Sequence, residues 1–173
     1  MKKIGTHKTV RCALTAAVYA AACLALPMLS YGPVQVRFSE AFTLLPVLMP
    51  EAVPGVVLGC FLANLIGTLL GTTMAVDIFF GTLATLLAAL LTRCLANVRI
   101  AGLALPGMIP PVLCNALIVG AELTVLYSNT FTAGLFAFNA VTVGVGELAA
   151  CLLGVLLVWV IERNPALKKA FTS

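Results

Sequence analysis

Charge is scarce in this chain. Only 9% of its 173 residues are Asp, Glu, Lys or Arg, against about a quarter in an ordinary soluble domain. Together with 62% hydrophobic residues and a mean hydropathy of +1.14, that deficit excludes a water-soluble domain. Histidine occurs once, at His7 in the N-terminal tail, and no Ser/His/Asp or metal-ligand spacing accompanies it, so catalysis has little support. All five lysines lie in the two tails, which leaves no G-x-x-x-x-G-K-[ST] phosphate loop. If the protein drives uphill transport, the ATPase is another chain. The six cysteines stand singly in apolar segments without C-x-x-C spacing, and read as small buried residues instead of a metal site or disulfides. No repeat and no low-complexity linker divides the chain.

What is present is long apolar runs. A bilayer core about 30 Å thick takes roughly 20 helical residues per crossing, so 173 residues allow about six crossings and almost no domain outside the membrane. The net charge of +4 does not point to nucleic acid. Seven of the ten basic residues sit in the tails, Lys2, Lys3, Lys8 and Arg11 at one end and Arg163, Lys168 and Lys169 at the other, which is a topology signal. The fold class expected is an all-α integral membrane protein, a six-transmembrane-helix bundle forming one domain over residues 1–173. Helices are expected at about 11–29, 38–50, 54–71, 76–95, 106–127 and 136–161. A cleaved signal peptide would resemble the first of these, but its length and the apolar chain that follows favour a retained helix.

The topology turns on Tyr31 to Gly55, which holds Pro33, Pro46, Pro50 and Pro54 and a run, Ser39 to Met49, too short for an ordinary span. Without that run there are five spans, and the two basic tails fall on opposite sides. With it there are six, both termini are cytoplasmic, and Arg93 and Arg99 also fall inside, as the positive-inside rule asks. Eleven residues of α-helix reach only about 16 Å, so such an element needs a water-filled cavity at its outer end. A re-entrant loop is the alternative.

Intramembrane polar residues are costly and are functional candidates by default. Gln35, Arg37, Glu40, Asn64, Asp77, Asn115, Glu122, Asn139 and Glu147 are expected to cluster toward the outer side and bind a ligand. Asn115 and Glu122, seven apart, lie about 20° from alignment on one helix. The blander readings are that Glu40 and Asp77 only touch the interface, and that the asparagines only join helices by hydrogen bonds. Four carboxylates against the single outer arginine suit a cationic or donor-rich ligand. Tyr31, Phe38, Tyr127, Phe131, Phe136 and Phe138 either stack on a flat ring or form an interfacial aromatic belt. In the first helix, Ala13, Ala17 and Ala21, continued by Ala25, give a small-xxx-small stripe for internal packing or for docking a partner subunit.

The segment GPVQVRFSEAFTLLPVLMPEAVPG, followed by GCFLANLIGTLLG and DIFFGTLATLLAALLTR, resembles the QueT family of queuosine-precursor transporters. The resemblance covers nearly the whole chain and is strongest from Gly32 to Arg93. It implies a six-helix substrate-binding S component of an energy-coupling factor (ECF) transporter. It also implies a partner transmembrane coupling subunit and two ATPase subunits that use ATP, with no cofactor in this chain. The ligand implied is of the 7-cyano- or 7-aminomethyl-7-deazaguanine type, with Glu40, Asp77, Glu122 and Glu147 sharing its recognition. A structural or assembly protein whose buried acids only hold helices together is the competing class.

Overall fold

The computed structural model describes residues 5–25, 37–128 and 130–172. Five helices are long and apolar enough to cross a membrane. They are α1 (Thr6–Ala25), α2 (Ala52–Leu69), α3 (Asp77–Cys94), α4 (Ile109–Ser128), which a short turn of 3-10 helix at Leu105–Met108 precedes, and α5 (Ala133–Arg163). A short amphipathic helix, α6 (Pro165–Thr172), follows, and no strand occurs among the described residues. The 31 residues of α5 extend about 46 Å at 1.5 Å each, well beyond the hydrocarbon thickness, so this helix tilts or projects from the bilayer. Leu69, Phe79, Leu113, Val141 and Leu156 are among many large apolar side chains left on the outside, where lipid replaces water as the solvent.

The short run is the centre of the molecule, and it is not an α-helix. Phe38–Val47 is a ten-residue 3-10 helix with Pro46 inside it. Its Glu40 N–H donates to the Arg37 carbonyl at 2.9 Å, and just beyond it the Leu48 N–H donates to Leu45 at 2.9 Å, both in the i to i+3 pattern. At about 2.0 Å per residue, ten residues reach about 20 Å, where an α-helix of that length would reach about 15 Å. The expected shortfall in length was therefore overstated, because it assumed the α-helical rise.

In a 3-10 helix, residues three apart eclipse one another, so this element has three faces. Arg37, Glu40, Thr43 and Pro46 form a polar edge. Ala41, Leu44 and Val47 pack on α5, where Leu44 and Val47 share a cluster with Cys151, Val155 and Val158. Phe42 and Leu45 turn toward Met49, Ala52 and Ile161. Being buried on every side, the helix needs apolar residues on most of its circumference, which explains why its composition shows no amphipathic stripe.

Charges tie the ends of these elements at one end of the bundle. Lys8 pairs with Glu51 at 3.3 Å and Arg99 with Glu162 at 2.7 Å. The Arg93 guanidinium donates to the Pro46 carbonyl at 3.0 Å, satisfying a backbone group that the end of the 3-10 helix leaves over. The start of α1, the end of α3, the end of α5 and the C-terminal end of the central helix thus share this level. Slight burial works against ionisation of Glu51, but its own backbone N–H and the Lys8 and Arg11 charges outweigh it and hold the carboxyl below its ordinary value. Its contribution is present above the unfolded-state value and is lost as pH falls through the lowered one.

Helix boundaries depart from the sequence reading where polar residues fray into helix. The first helix begins at Thr6 instead of 11, where the Lys8 and Thr9 N–H groups donate to the Gly5 carbonyl and Lys8 pairs with Glu51. The last span runs to Arg163 instead of 161, held there by Arg163 stacking on Trp159 at 4.3 Å.

Candidate functional site

At the other end of the central helix the polar residues gather. Arg37 is 3% exposed and Glu40 wholly buried. The Arg37 guanidinium donates to Asn64 Oδ1 at 2.6 Å, joining the central helix to α2. Asn64 Nδ2 in turn donates to the Asp77 carbonyl oxygen at 2.8 Å, joining α2 to α3. This chain of contacts requires a residue without a side chain at position 81, since a Cβ there would lie 2.9 Å from Asn64 Nδ2 and 3.7 Å from the arginine. On the α1 side, the Tyr19 hydroxyl donates to Glu40 Oε1. Cys23 and Cys60 complete the wall, with Asn64 Nδ2 at 3.5 Å from the Cys60 sulfur.

The remaining acids come from α4 and α5. Glu147 is 2% exposed and lies within electrostatic reach of Glu40 and Arg37. Asn115, 1% exposed, approaches Glu147 without closing a hydrogen bond. Glu122 is 7% exposed and lies beside Asp77, also within reach of Arg37. One arginine thus faces Glu40 and Glu147 in the buried interior and Glu122 at its edge, where Glu122 also lines a groove with Val76, Phe80, Leu117 and Val125.

Hydrogen bonding separates these residues into two kinds. Asn64 is committed at both ends of its amide. Asn139 Nδ2 donates to Thr124 Oγ1 at 3.0 Å, an α4–α5 link. Asp77 Oδ2 accepts from the Thr73 hydroxyl and, at 3.2 Å, from the Met74 N–H, bracing the first turn of α3. By contrast, among the described residues Glu40 Oε2, Glu147 Oε2, Asn115 Nδ2, Ser39 Oγ, Thr82 Oγ1 and both oxygens of Glu122 are buried with no well-placed hydrogen-bond partner, although Glu122 lies against the Asp77 carboxyl and Asn115 against Glu147. Native proteins leave few such groups, because each costs on the order of 1–3 kcal/mol, and more when charged. Most of these unmet groups belong to the carboxylates that face Arg37.

The chain therefore brings together Arg37, Glu40, Asn64, Asp77, Asn115, Glu122 and Glu147, and places Asn139 at a helix contact. Gln35 and Tyr31, together with the side chain of Tyr127, lie outside the described residues. The sequence reading missed Tyr19. A lone phenol in an alanine-rich run reads as core, and its only signal was the cost of burying a hydroxyl without a partner. Phe131 and Phe136 stack on each other at 5.4 Å, apart from the buried acids. On α1, Ala13, Ala17 and Ala21 are exposed, whereas Ala16 and Ala20 are buried. Ala16 meets Gly59 of α2, where an added Cβ would lie 2.8 Å from the Ala16 carbonyl oxygen. The two alanine rows thus divide between packing within the bundle and an open outer face.

Comparison with known proteins gave no match among curated sequences and none among solved structures. A family model described as QueT transporter matches residues 9–163, which takes in every element that supplies the buried polar region. The chain is a multi-pass membrane protein of transport, and it belongs to the QueT transporter family.

Proposed function

We propose that the protein is the substrate-binding S component of an ATP-driven ECF uptake transporter, and that it captures a queuosine precursor of the 7-deazaguanine type. The observation that carries this reading is the set of orphaned carboxylate oxygens on Glu40, Glu122 and Glu147 around a single arginine. Such a region attracts a ligand rich in N–H donors or bearing a cation, and membership of the QueT transporter family supplies the transport context. The end of the bundle carrying Lys8, Arg93, Arg99 and Arg163 is cytoplasmic on this reading, which leaves the polar region toward the outside.

The test is ligand-induced thermal stabilisation of purified protein. The 7-aminomethyl and 7-cyano deazaguanines are expected to raise the melting temperature, by mass action on the folded state. Glu147→Gln is expected to remove most of that rise. If no deazapurine stabilises the wild-type protein, the deazaguanine reading fails, and if no purine or vitamin does either, the acids are structural.

The exposed stripe Ala13, Ala17, Ala21 serves on this reading as the docking face for the coupling subunit, through which the two ATPase subunits act. Small residues allow close helix approach within a membrane. Ala17→Leu is expected to cut co-purification of the coupling and ATPase subunits severalfold while leaving ligand binding intact. Unchanged association would remove this face from the interface.

A further inference from the structure

We propose that the groove between α1, the central helix and the end of α5 seats an anionic phospholipid, with one acyl chain lying in the groove and the phosphate on Arg11. The groove is separate from the buried polar region, and the inference does not depend on what that region binds.

The groove is a cavity of about 310 Å³ walled by Leu14 and Val18 of α1, Phe42 and Leu45 of the central helix, Leu157 of α5 and Phe171 of α6. Among the described residues that line it, Arg11 is the one that carries a charge. The walls run in parallel. Along α1, Val18, Leu14 and Arg11 descend toward the end of the bundle where Lys8 pairs with Glu51, and Phe42, Leu45 and Met49 descend beside them. Arg11 and Val18 are seven residues apart on one helix, about 10 Å along its axis. The groove is therefore apolar along its length and charged only at its mouth. A polar solute would find no partner inside, whereas a hydrocarbon chain ending in one anionic group matches both parts.

Two further observations point to the bilayer as the source. Leu14 and Val18 are 59% and 47% exposed on a helix long and apolar enough to cross a membrane, so the groove opens sideways onto hydrocarbon. Its volume is at the small end of the range of about 300–1,000 Å³ for ligand pockets, which suits one chain and not two. The second observation is the positive rim. Asn164 ends α5 in extended backbone, its Oδ1 accepts from the Ala166 and Leu167 N–H groups at 3.0 and 3.3 Å, and α6 begins. Phe171 of α6 packs on the cluster of Leu45, Met49, Ala52 and Ile161, while Lys168 and Lys169 stay exposed. A short helix with an apolar anchor and exposed lysines lies in a membrane surface and favours anionic lipid. Arg11 is within electrostatic reach of Glu51, but that carboxylate already pairs with Lys8, and Glu162 pairs with Arg99. The acids at this level thus leave the mouth of the groove positive.

The test is lipid binding to the purified full chain in a non-ionic detergent, read by native mass spectrometry. The probes are dioleoyl phosphatidylglycerol, the phosphatidylcholine with the same chains, and glycerol 3-phosphate. The wild type is expected to bind phosphatidylglycerol about fivefold more tightly than phosphatidylcholine, the worth of one basic residue beside an anionic surface. Glycerol 3-phosphate is expected not to bind. Arg11→Gln is expected to abolish the preference while phosphatidylcholine binding stays the same, and Arg11→Lys to keep most of it. Val18→Trp and Leu14→Trp fill the groove from exposed positions without entering the core, and each is expected to weaken both lipids about tenfold with the lipid-free melting temperature unchanged. Equal binding of the two lipids by the wild type, or binding that neither tryptophan reduces, would overturn the seat and leave an unspecific lipid shell. Glycerol 3-phosphate binding as tightly as the lipid would reduce the site to an anion contact. If Val18→Trp spares lipid binding but abolishes co-purification of a coupling subunit, the groove belongs to a partner helix and the proposal is wrong.

Discussion

Arg37→Met is expected to destabilise the protein by about 3–5 kcal/mol, the usual loss when one partner of a buried charge cluster is removed. The methionine fills much of the same space but leaves Asn64 Oδ1 without its 2.6 Å donor. It also leaves Glu40 and Glu147 facing each other, and Glu122 beside Asp77, without the arginine's charge. Arg37→Lys keeps the charge but not the fork that reaches Asn64 while facing the acids, and is expected to recover only part of the loss. The measurement is equilibrium unfolding in detergent, with a cationic ligand added in a second series. A ligand ammonium supplies the missing charge, so the variant is expected to be stabilised more by ligand than the wild type is. If Arg37→Met unfolds at the wild-type denaturant concentration, the arginine is not balancing the acids, and the electrostatic account of the site falls.

The second large effect lies at Gly154. A Cβ built there meets the Ala41 carbonyl oxygen at a separation no real contact tolerates, and lies 3.1 Å from the Ala41 Cα. The obstacle is backbone on both sides, so neither helix can yield by turning a side chain. Gly154→Ala is expected to cost at least about 1–3 kcal/mol, as overpacking of a tight interior does. Binding is expected to suffer as well. Ala41 adjoins Glu40, and Gly154 lies seven residues from Glu147 on nearly the same face of α5, so separating the helices parts the two acids. Gly144→Ala supplies the control, because an added Cβ there makes an ordinary 3.5 Å contact with Ala116. If the two substitutions prove equally mild, the close approach at Ala41 is not a constraint on the fold.

How much of this was readable beforehand depended on the kind of information involved. Burial cost is a property of residue type, so Arg37, Glu40, Asn64, Asn115, Glu122 and Glu147 stood out in an apolar sequence, and all six are buried. The pitch of the central helix was not readable. Over ten residues, patterns of period 3.0 and 3.6 drift apart by little more than half a turn, and an element apolar on nearly all sides carries no stripe to measure. Nor could the sequence separate Asp77, tied down by a threonine four residues earlier, from Glu122, whose oxygens have no such neighbour. That distinction depends on where hydroxyls and N–H groups fall in three dimensions. Tyr19 and Glu40, 21 residues apart on different helices, meet where Gly59 lets Tyr19 of α1 lie close against α2.

The three-sided central helix also limits how the chain can vary in length. Removing or adding one residue within Phe38–Val47 rotates everything beyond it by about 120°, which is the angle between its faces. The change would not be absorbed as a small misalignment. It would exchange one complete face for the next: an insertion near its start carries Thr43 and Pro46 to the positions that Leu44 and Val47 occupy against α5, and a deletion carries them to those of Phe42 and Leu45. A length change in this segment is thus a permutation of neighbours, and the spacing between Arg37 and Pro46, whose carbonyl Arg93 holds, is fixed as tightly as the identity of either residue.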